Sequence, residues 1–297
     1  RLPRGGAELR HAVLGAGGVG GLIAAALARS GADVLLLMRP QSVAGYPGRL
    51  RVQSVVLGNF EVAAPASPLL DRDVDVLLVA TKATQLEHAL ELAPPERVGE
   101  AVVVPLLNGV DHVELLRTHY RNVVGAAIRV ESERTASGVI EQKSPFVRLD
   151  LAGAEEVQTA LRDAGLDCRG RDDEPTLLWE KLVFLAPVAL ATTAFDSPLG
   201  AVREDPSFVA CREEAATAAR AAGATVDLDP IRAQHEAAPA AMQSSMQKDV
   251  AAGREPELAA IAGPIVRLGA EYGFPTAATV SLVERVRARS HEPVRNP

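Results

Sequence analysis

Gly15-Ala-Gly17-Gly-Val-Gly20 follows the apolar run His11-Ala-Val-Leu14 and opens a stretch of small apolar residues. Gly-x-Gly-x-x-Gly between a strand and a helix is the spacing that dinucleotide binding requires. Gly15 permits the tight turn off the strand, Gly17 lets backbone approach a pyrophosphate, and Gly20 lets the helix pack against the sheet. The helix N-terminus offers its N–H groups to the phosphates. Gly15, Ala16, Gly17, Gly18, Val19 and Gly20 therefore form the candidate cofactor-binding turn. At the end of the next apolar run, Asp33–Met38, the residue that chooses between dinucleotides is Arg39. An acidic residue there would grip the ribose hydroxyls of NAD, whereas a guanidinium can hold the 2′-phosphate of NADP through paired, charge-assisted hydrogen bonds. NADP(H) is the expected cofactor.

Further polar groups stand where strands should end. Lys82 with Gln85 follows one apolar run, and Asn108 beside Gly109 follows another. Singly, these are a solvated lysine and a turn asparagine; together, at equivalent strand ends, they form the rim of a cofactor or substrate site. Farther on, Lys181 opens the apolar segment Leu182–Phe195. Such a lysine either snorkels its ammonium to the surface or holds it away from water as a general acid for an alkoxide. The residues alone leave both readings open. Ser244-Ser245-Met246 and Asp249 form a second polar island, with Ser245 and Asp249 one helical turn apart. Glu257 follows Pro256 near a helix start, where a carboxylate is favoured for capping alone.

The elements that must position these groups alternate. Strands are expected at Val74–Val79, Ala101–Val104 and Asn122–Ala127, and helices at Thr84–Leu92 and Asp111–His119, with extra strands at Arg49–Val56 and Asn59–Ala63. This is the signature of a doubly wound parallel sheet, an α/β Rossmann domain. Shorter strands at Arg129–Glu133, Val139–Gln142 and Phe146–Leu151, a helix at Ala154–Ala164 and a strand at Asp167–Arg169 then close it. From Pro175 the chain reads as all-helical, broken at Pro198, Pro230, Pro264 and Pro275. The expected domains are 1–172, which binds NADP, and 173–297, which is helical and serves substrate binding and dimerisation.

Composition bounds the partners. The 297 residues carry a net charge of −7, which argues against nucleic acid or an anionic membrane as partner. The Arg285–Arg289 cluster reads as a solvated face. Hydrophobic residues make up 47% of the chain but aromatics only 3%, so the cores must be built from Ala, Val and Leu. The two cysteines, Cys168 and Cys211, have no metal-ligand spacing; no metal is expected and a reducing cytoplasm suits the chain. The stretch Leu182–Phe195 is too short to span a bilayer and contains Pro187. No secretory pattern is seen, and Arg1–Arg10 reads as a flexible polar arm.

Taken in order, the glycine turn, Arg39, Lys82-Ala83-x-Gln85, Asn108-Gly109, Lys181-Leu182, Ser244–Asp249, Glu257, Gly263 and Tyr272–Thr276 resemble ketopantoate reductase, or 2-dehydropantoate 2-reductase. The resemblance runs from His11 to Arg289. It implies a Rossmann domain joined to a helical domain with the active site in the cleft between them, and a homodimer. It also implies that NADPH reduces the ketone of the 2-keto acid 2-dehydropantoate to (R)-pantoate, a step toward pantothenate and coenzyme A. By the same resemblance Lys181 is the proton donor and Glu257 orients lysine and substrate. Ser245 and Asn108 contact the substrate, while Arg39 and Lys82 grip the phosphate end of the coenzyme. Gln85, Asn108 and Glu257 join the coenzyme contacts.

The chain departs from that pattern at Leu185, Ala189 and Met242, where the family usually carries asparagines. Leu185 then becomes an apolar contact to the substrate. Losing hydrogen-bonding amides should weaken binding of a hydroxylated keto acid and favour a more apolar 2-keto or 2-hydroxy acid on the same scaffold. A non-catalytic NADP sensor is a third reading, disfavoured because Lys181 and Glu257 are both retained.

Overall fold

The computed structural model describes residues 9–290, so most of the arm expected over Arg1–Arg10 lies outside the described residues. Two compact units form. One holds the described chain up to Leu107 together with His112–Glu174; the other holds Asn108–Asp111 and the chain from Pro175. Composition suggests a single crossing near residue 172, whereas the chain crosses after Leu107, Asp111 and Glu174.

In the first unit β1 (Arg10–Leu14) leads through α1 (Gly18–Arg29) to β2 (Asp33–Leu37), α2 (Pro40–Ala44), β3 (Arg49–Ser54), β4 (Gly58–Ala63) and β5 (Ala66–Ser67). Next come β6 (Val76–Val79), a 3-10 turn at Ala83–Gln85, α3 (Leu86–Leu90), α4 (Pro95–Val98), β7 (Val102–Pro105), α5 (His112–His119) and β8 (Asn122–Val123). Last are β9 (Ala126–Arg129), β10 (Ser132–Ala136), β11 (Val139–Gln142), β12 (Arg148–Leu151), α6 (Glu155–Asp163) and β13 (Asp167–Gly170).

The main sheet is six-stranded in the order β5-β2-β1-β6-β7-β8, and every pairing in it is parallel. Its strands read as continuous apolar runs because both faces are covered. Val13, Leu36 and Leu78 enter one core, while Leu14, Leu37 and Val79 enter another on the opposite face. A four-stranded sheet, β10-β11-β3-β4, packs on the far side of α1. Gly20 to Leu27 are therefore all buried, and α1 is apolar all round.

Several expected elements differ, each for a local reason. The strand expected over Asn122–Ala127 is two strands in different sheets, split at Gly125. There the Glu174 carboxylate accepts the Gly125 N–H at 2.7 Å, taking a donor that a continuing ladder would use. The strand expected over Arg129–Glu133 is likewise interrupted between β9 and β10. Thr84–Leu92 is shortened to the 3-10 turn and α3, and β3 stops at Ser54, whose hydroxyl accepts the N–H groups of Val56 and Leu57 in the turn.

The second unit consists of α7 (Glu174–Phe195, starting on the last residue of the first unit), α8 (Leu199–Val202), α9 (Pro206–Ala221), α10 (Leu228–Ala237), α11 (Ser245–Ala251), α12 (Leu258–Ile261), α13 (Gly263–Tyr272) and α14 (Ala277–Ser290). Pro230 lies in the first turn of α10, where the missing donor costs nothing, rather than breaking a helix. Pro187 lies inside α7, and the 22-residue helix runs through it. At that length α7 is long and apolar enough to cross a membrane, but most of it is buried as the core helix of this unit. The arginine cluster of α14 is partly engaged: Arg285 stacks on Phe195 at 5.0 Å and Arg289 pairs with Asp196 at 2.8 Å.

His235 on α10 is buried between Phe184 and Phe208, with one ring nitrogen 2.9 Å from the Phe184 carbonyl. Burial pushes its pKa from 6.5 down to about 4. Below pH 6.5 the unfolded chain takes up a proton that the native state refuses, so stability is full above that pH and falls as pH drops toward 4. That lowering corresponds to about 3 kcal/mol. We expect His235→Phe to flatten the decline in unfolding free energy between pH 7 and pH 4, measured by urea denaturation. An equally steep decline in the variant would contradict the assignment.

Candidate functional site

In the first unit the sheet order places β2 and β6 on either side of β1, all parallel. The segments leaving their carboxyl ends therefore share one edge: the glycine turn after β1, Arg39 after β2 and Lys82 after β6. This is the edge at which doubly wound sheets bind ligands.

Gly15 turns the chain with φ +100, a conformation that side chains rarely adopt. A Cβ at Gly20 would come 2.0 Å from the Gly15 carbonyl oxygen, so helix and turn meet without side chains. A Cβ at Gly18 would likewise come 2.2 Å from the Ser132 carbonyl oxygen, and the Ser132 hydroxyl donates to the Gly18 carbonyl at 2.9 Å. Gly17 differs: a Cβ there would meet nothing within 4 Å. Open space thus lies beside the N-terminus of α1, which no side chain caps. The turn fits a pyrophosphate, with Ala16 buried below it and Val19 half-buried on the helix.

Arg39 precedes α2, where its carbonyl accepts the N–H groups of Ser42 and Val43. Its side chain is exposed, and the guanidinium makes no ion pair among the described residues. Lys82 is half-buried at the head of the 3-10 turn, and Gln85 is exposed at its end. Thr81, which the sequence reading did not single out, packs beside Gly15, and its buried hydroxyl has no hydrogen-bond partner among the described residues.

In the second unit Lys181 lies on α7 and is only 8% exposed. Its neighbours Trp179, Leu182 and Val183 belong to the apolar core. The side chain is buried, so it does not snorkel its ammonium to the surface. Leu185, one turn farther on, is half-buried against the same core; Ala189, a turn beyond, is 2% exposed.

The serine pair divides its work. Ser244, not Ser245, is buried: its hydroxyl accepts the Gln247 N–H at 3.1 Å as the cap of α11 and receives the Thr192 hydroxyl at 2.8 Å from α7. Ser245 is exposed on the first residue of α11. The spacing Ser244-x-x-Gln247 carries the capping signal in the sequence, and Thr192 has no such local cue. Asp249 is buried and receives Arg254 Nε at 2.8 Å, which closes the turn after α11.

Asn108 and Glu257, 149 positions apart, are brought together: Asn108 Nδ2 lies 3.5 Å from Glu257 Oε2. Glu257 precedes α12 without capping it, so the capping role expected for a carboxylate there is not the one it has.

A doubly wound sheet with an open glycine turn, together with a helical unit that buries a lysine, is the build of a Rossmann-type oxidoreductase. The particular family follows from direct matches. Residues 11–154 match the model of Ketopantoate reductase PanE/ApbA, and residues 176–290 match that of its C-terminal domain. The chain belongs to the ketopantoate reductase family. It is similar to the 2-dehydropantoate 2-reductase of Archaeoglobus fulgidus, at 28% identity over 94% of this chain and 97% of the relative. Among solved structures it resembles a PanE/ApbA family ketopantoate reductase from Ralstonia eutropha JMP134, with TM-score 0.86 and 27% identity over 95% of this chain and 98% of that one. D-mandelate dehydrogenase in complex with NADH and anilino(oxo)acetate shares the fold, with TM-score 0.85 at 21% identity over 95% and 98% of the two chains.

The division between the two serines is measurable. Ser244→Ala should cost about 1–2 kcal/mol by chemical denaturation, since it removes a helix cap and a buried acceptor. Ser245→Ala should stay within about 0.5 kcal/mol. Equal losses would contradict the placement.

Proposed function

We propose that the chain catalyses the NADPH-dependent reduction of 2-dehydropantoate to (R)-pantoate in the cytoplasm, a step toward pantothenate and coenzyme A. The observation that carries this reading is the burial of Lys181 in an apolar helix of a chain that belongs to this family. The glycine turn would hold the pyrophosphate on the N–H groups of α1, with Arg39 and Lys82 at its phosphate end and Gln85 beside them. When bound, the nicotinamide supplies the hydride.

The residues of the second unit handle the charge that results. Hydride addition to a ketone builds negative charge on oxygen, and the Lys181 ammonium neutralises it by giving up a proton. A cation fixed beside that oxygen in a water-poor site contributes on the order of 3 kcal/mol to lowering the barrier. Asn108 offers its second Nδ2 N–H to the substrate while the first faces Glu257, and that carboxylate orients the lysine and the substrate and joins the coenzyme contacts. Ser245, exposed at the head of α11, supplies a hydroxyl to the substrate.

A second reading keeps the reaction and changes the substrate. Leu185, half-buried one turn beyond Lys181, with Ala189 and Met242, offers no hydrogen bonds. That lining favours a 2-keto acid with an apolar side chain. NADPH oxidation measured over a panel of 2-keto acids separates the two.

Lys181→Ala should leave NADPH affinity nearly intact and cut turnover by roughly 10²-fold or more; unchanged turnover would remove Lys181 from the reaction. Arg39→Ala should reduce the ratio of kcat/KM for NADPH over NADH by about tenfold or more. An unaltered ratio would show that Arg39 does not read the 2′-phosphate.

A further inference from the structure

The segment Asn108–Asp111 leaves the main sheet after β7 and belongs to the second unit before the chain returns to form α5. Three contacts hold it there. Val110 packs on the apolar core of the second unit. Gly109, with φ +89, lies so close to α12 that a Cβ would come 2.5 Å from the Ala260 carbonyl oxygen. Asp111 receives two bonds from Arg267 on α13, Nη1 to Oδ2 at 2.8 Å and Nη2 to Oδ1 at 2.6 Å.

The head of this strap is Asn108. Its bond to Glu257 is long, at 3.5 Å, and too weak to fix an amide by itself. The residue after it is a glycine, which brings no side chain to hold the amide. The position of the Asn108 amide therefore rests on the strap as a whole: Gly109 against α12, Val110 on the core and Asp111 at its far end. A lone exposed ion pair does little for stability, but a two-pronged guanidinium–carboxylate pair fixes both place and direction. Glu271 stands one turn beyond Arg267 on the same helix and supports its charge.

We propose that Arg267 and Asp111 are positioning residues for the reduction: their ion pair latches the Asn108–Asp111 strap to the second unit and thereby holds the Asn108 amide at Glu257. The catalytic half of this inference rests on the proposed function above. The mechanical half does not.

The test uses the whole chain and the variants Asp111→Asn, Arg267→Gln and the charge swap Asp111→Arg with Arg267→Asp. Hydrogen exchange in a peptide covering residues 106–112 should quicken about fivefold or more in each single variant and return toward the parent rate in the swap. In the same proteins kcat/KM for the 2-keto acid should fall about tenfold in the single variants and recover in the swap, with the urea midpoint unchanged. Unchanged exchange in both single variants overturns the latch. Faster exchange with kcat/KM within twofold of the parent overturns the positioning role. A parent chain that reduces no 2-keto acid, or a fully active Lys181→Ala, removes the proposed function and with it the catalytic half. The exchange rates then still decide whether the strap is latched.

Discussion

Helix α1 runs between two sheets with no room for a side chain at Gly18 or Gly20, and the rest of the first unit is arranged around that close approach. Small residues let the helix settle against β1 and against β10 together. Because it settles so deeply, its N-terminus ends at the carboxyl edge of the main sheet, level with the segments that leave β2 and β6. A larger residue at Gly20 would have to push the helix away from the Gly15 carbonyl, and the uncapped N–H groups would move with it. The open space at Gly17 is the counterpart of the crowding at its neighbours: the turn is closed toward protein and open toward a ligand.

The second unit is organised by α7 in a different way. This helix is a core element, apolar on nearly every side, held through Pro187 by packing and pinned to α11 by the Thr192–Ser244 hydroxyl pair. Placing a lysine within such a helix is expensive unless the ammonium has a purpose or a partner. The surrounding apolar residues make its charge count for more than it would in water. The packing that makes α7 rigid also fixes the position of Lys181, the proton donor of the proposed reaction. The Asn108–Asp111 strap adds a group from the sheet's own chain to that same unit.

Much of this was legible in the sequence because it is written in short-range pattern. The apolar runs of β1, β2 and β6 and the glycine spacing needed no knowledge of distant residues, and the switch to helices after Pro175 is a change of composition. What escaped was set by contacts between residues far apart in the chain. Nothing local says that Asn108 sides with the helical unit, because Arg267 and Ala260 decide it. Gly125 splits a strand because Glu174 takes its N–H group. The burial of Ser244 rather than Ser245 follows from Thr192, although the capping spacing to Gln247 was there to be read. Lys181 was ambiguous for the same reason: a lysine opening an apolar segment looks alike whether it reaches water or not, and only packing distinguishes the two.

The account turns on where one ammonium group meets the keto acid. A crystal structure of the chain with NADP⁺ and 2-dehydropantoate, a pair that cannot react for want of a hydride, would show it directly. The account predicts Lys181 Nζ at about 3 Å from the ketone oxygen, within hydrogen-bond reach. A ketone oxygen bound by other groups, with Lys181 Nζ well beyond that reach, would contradict it.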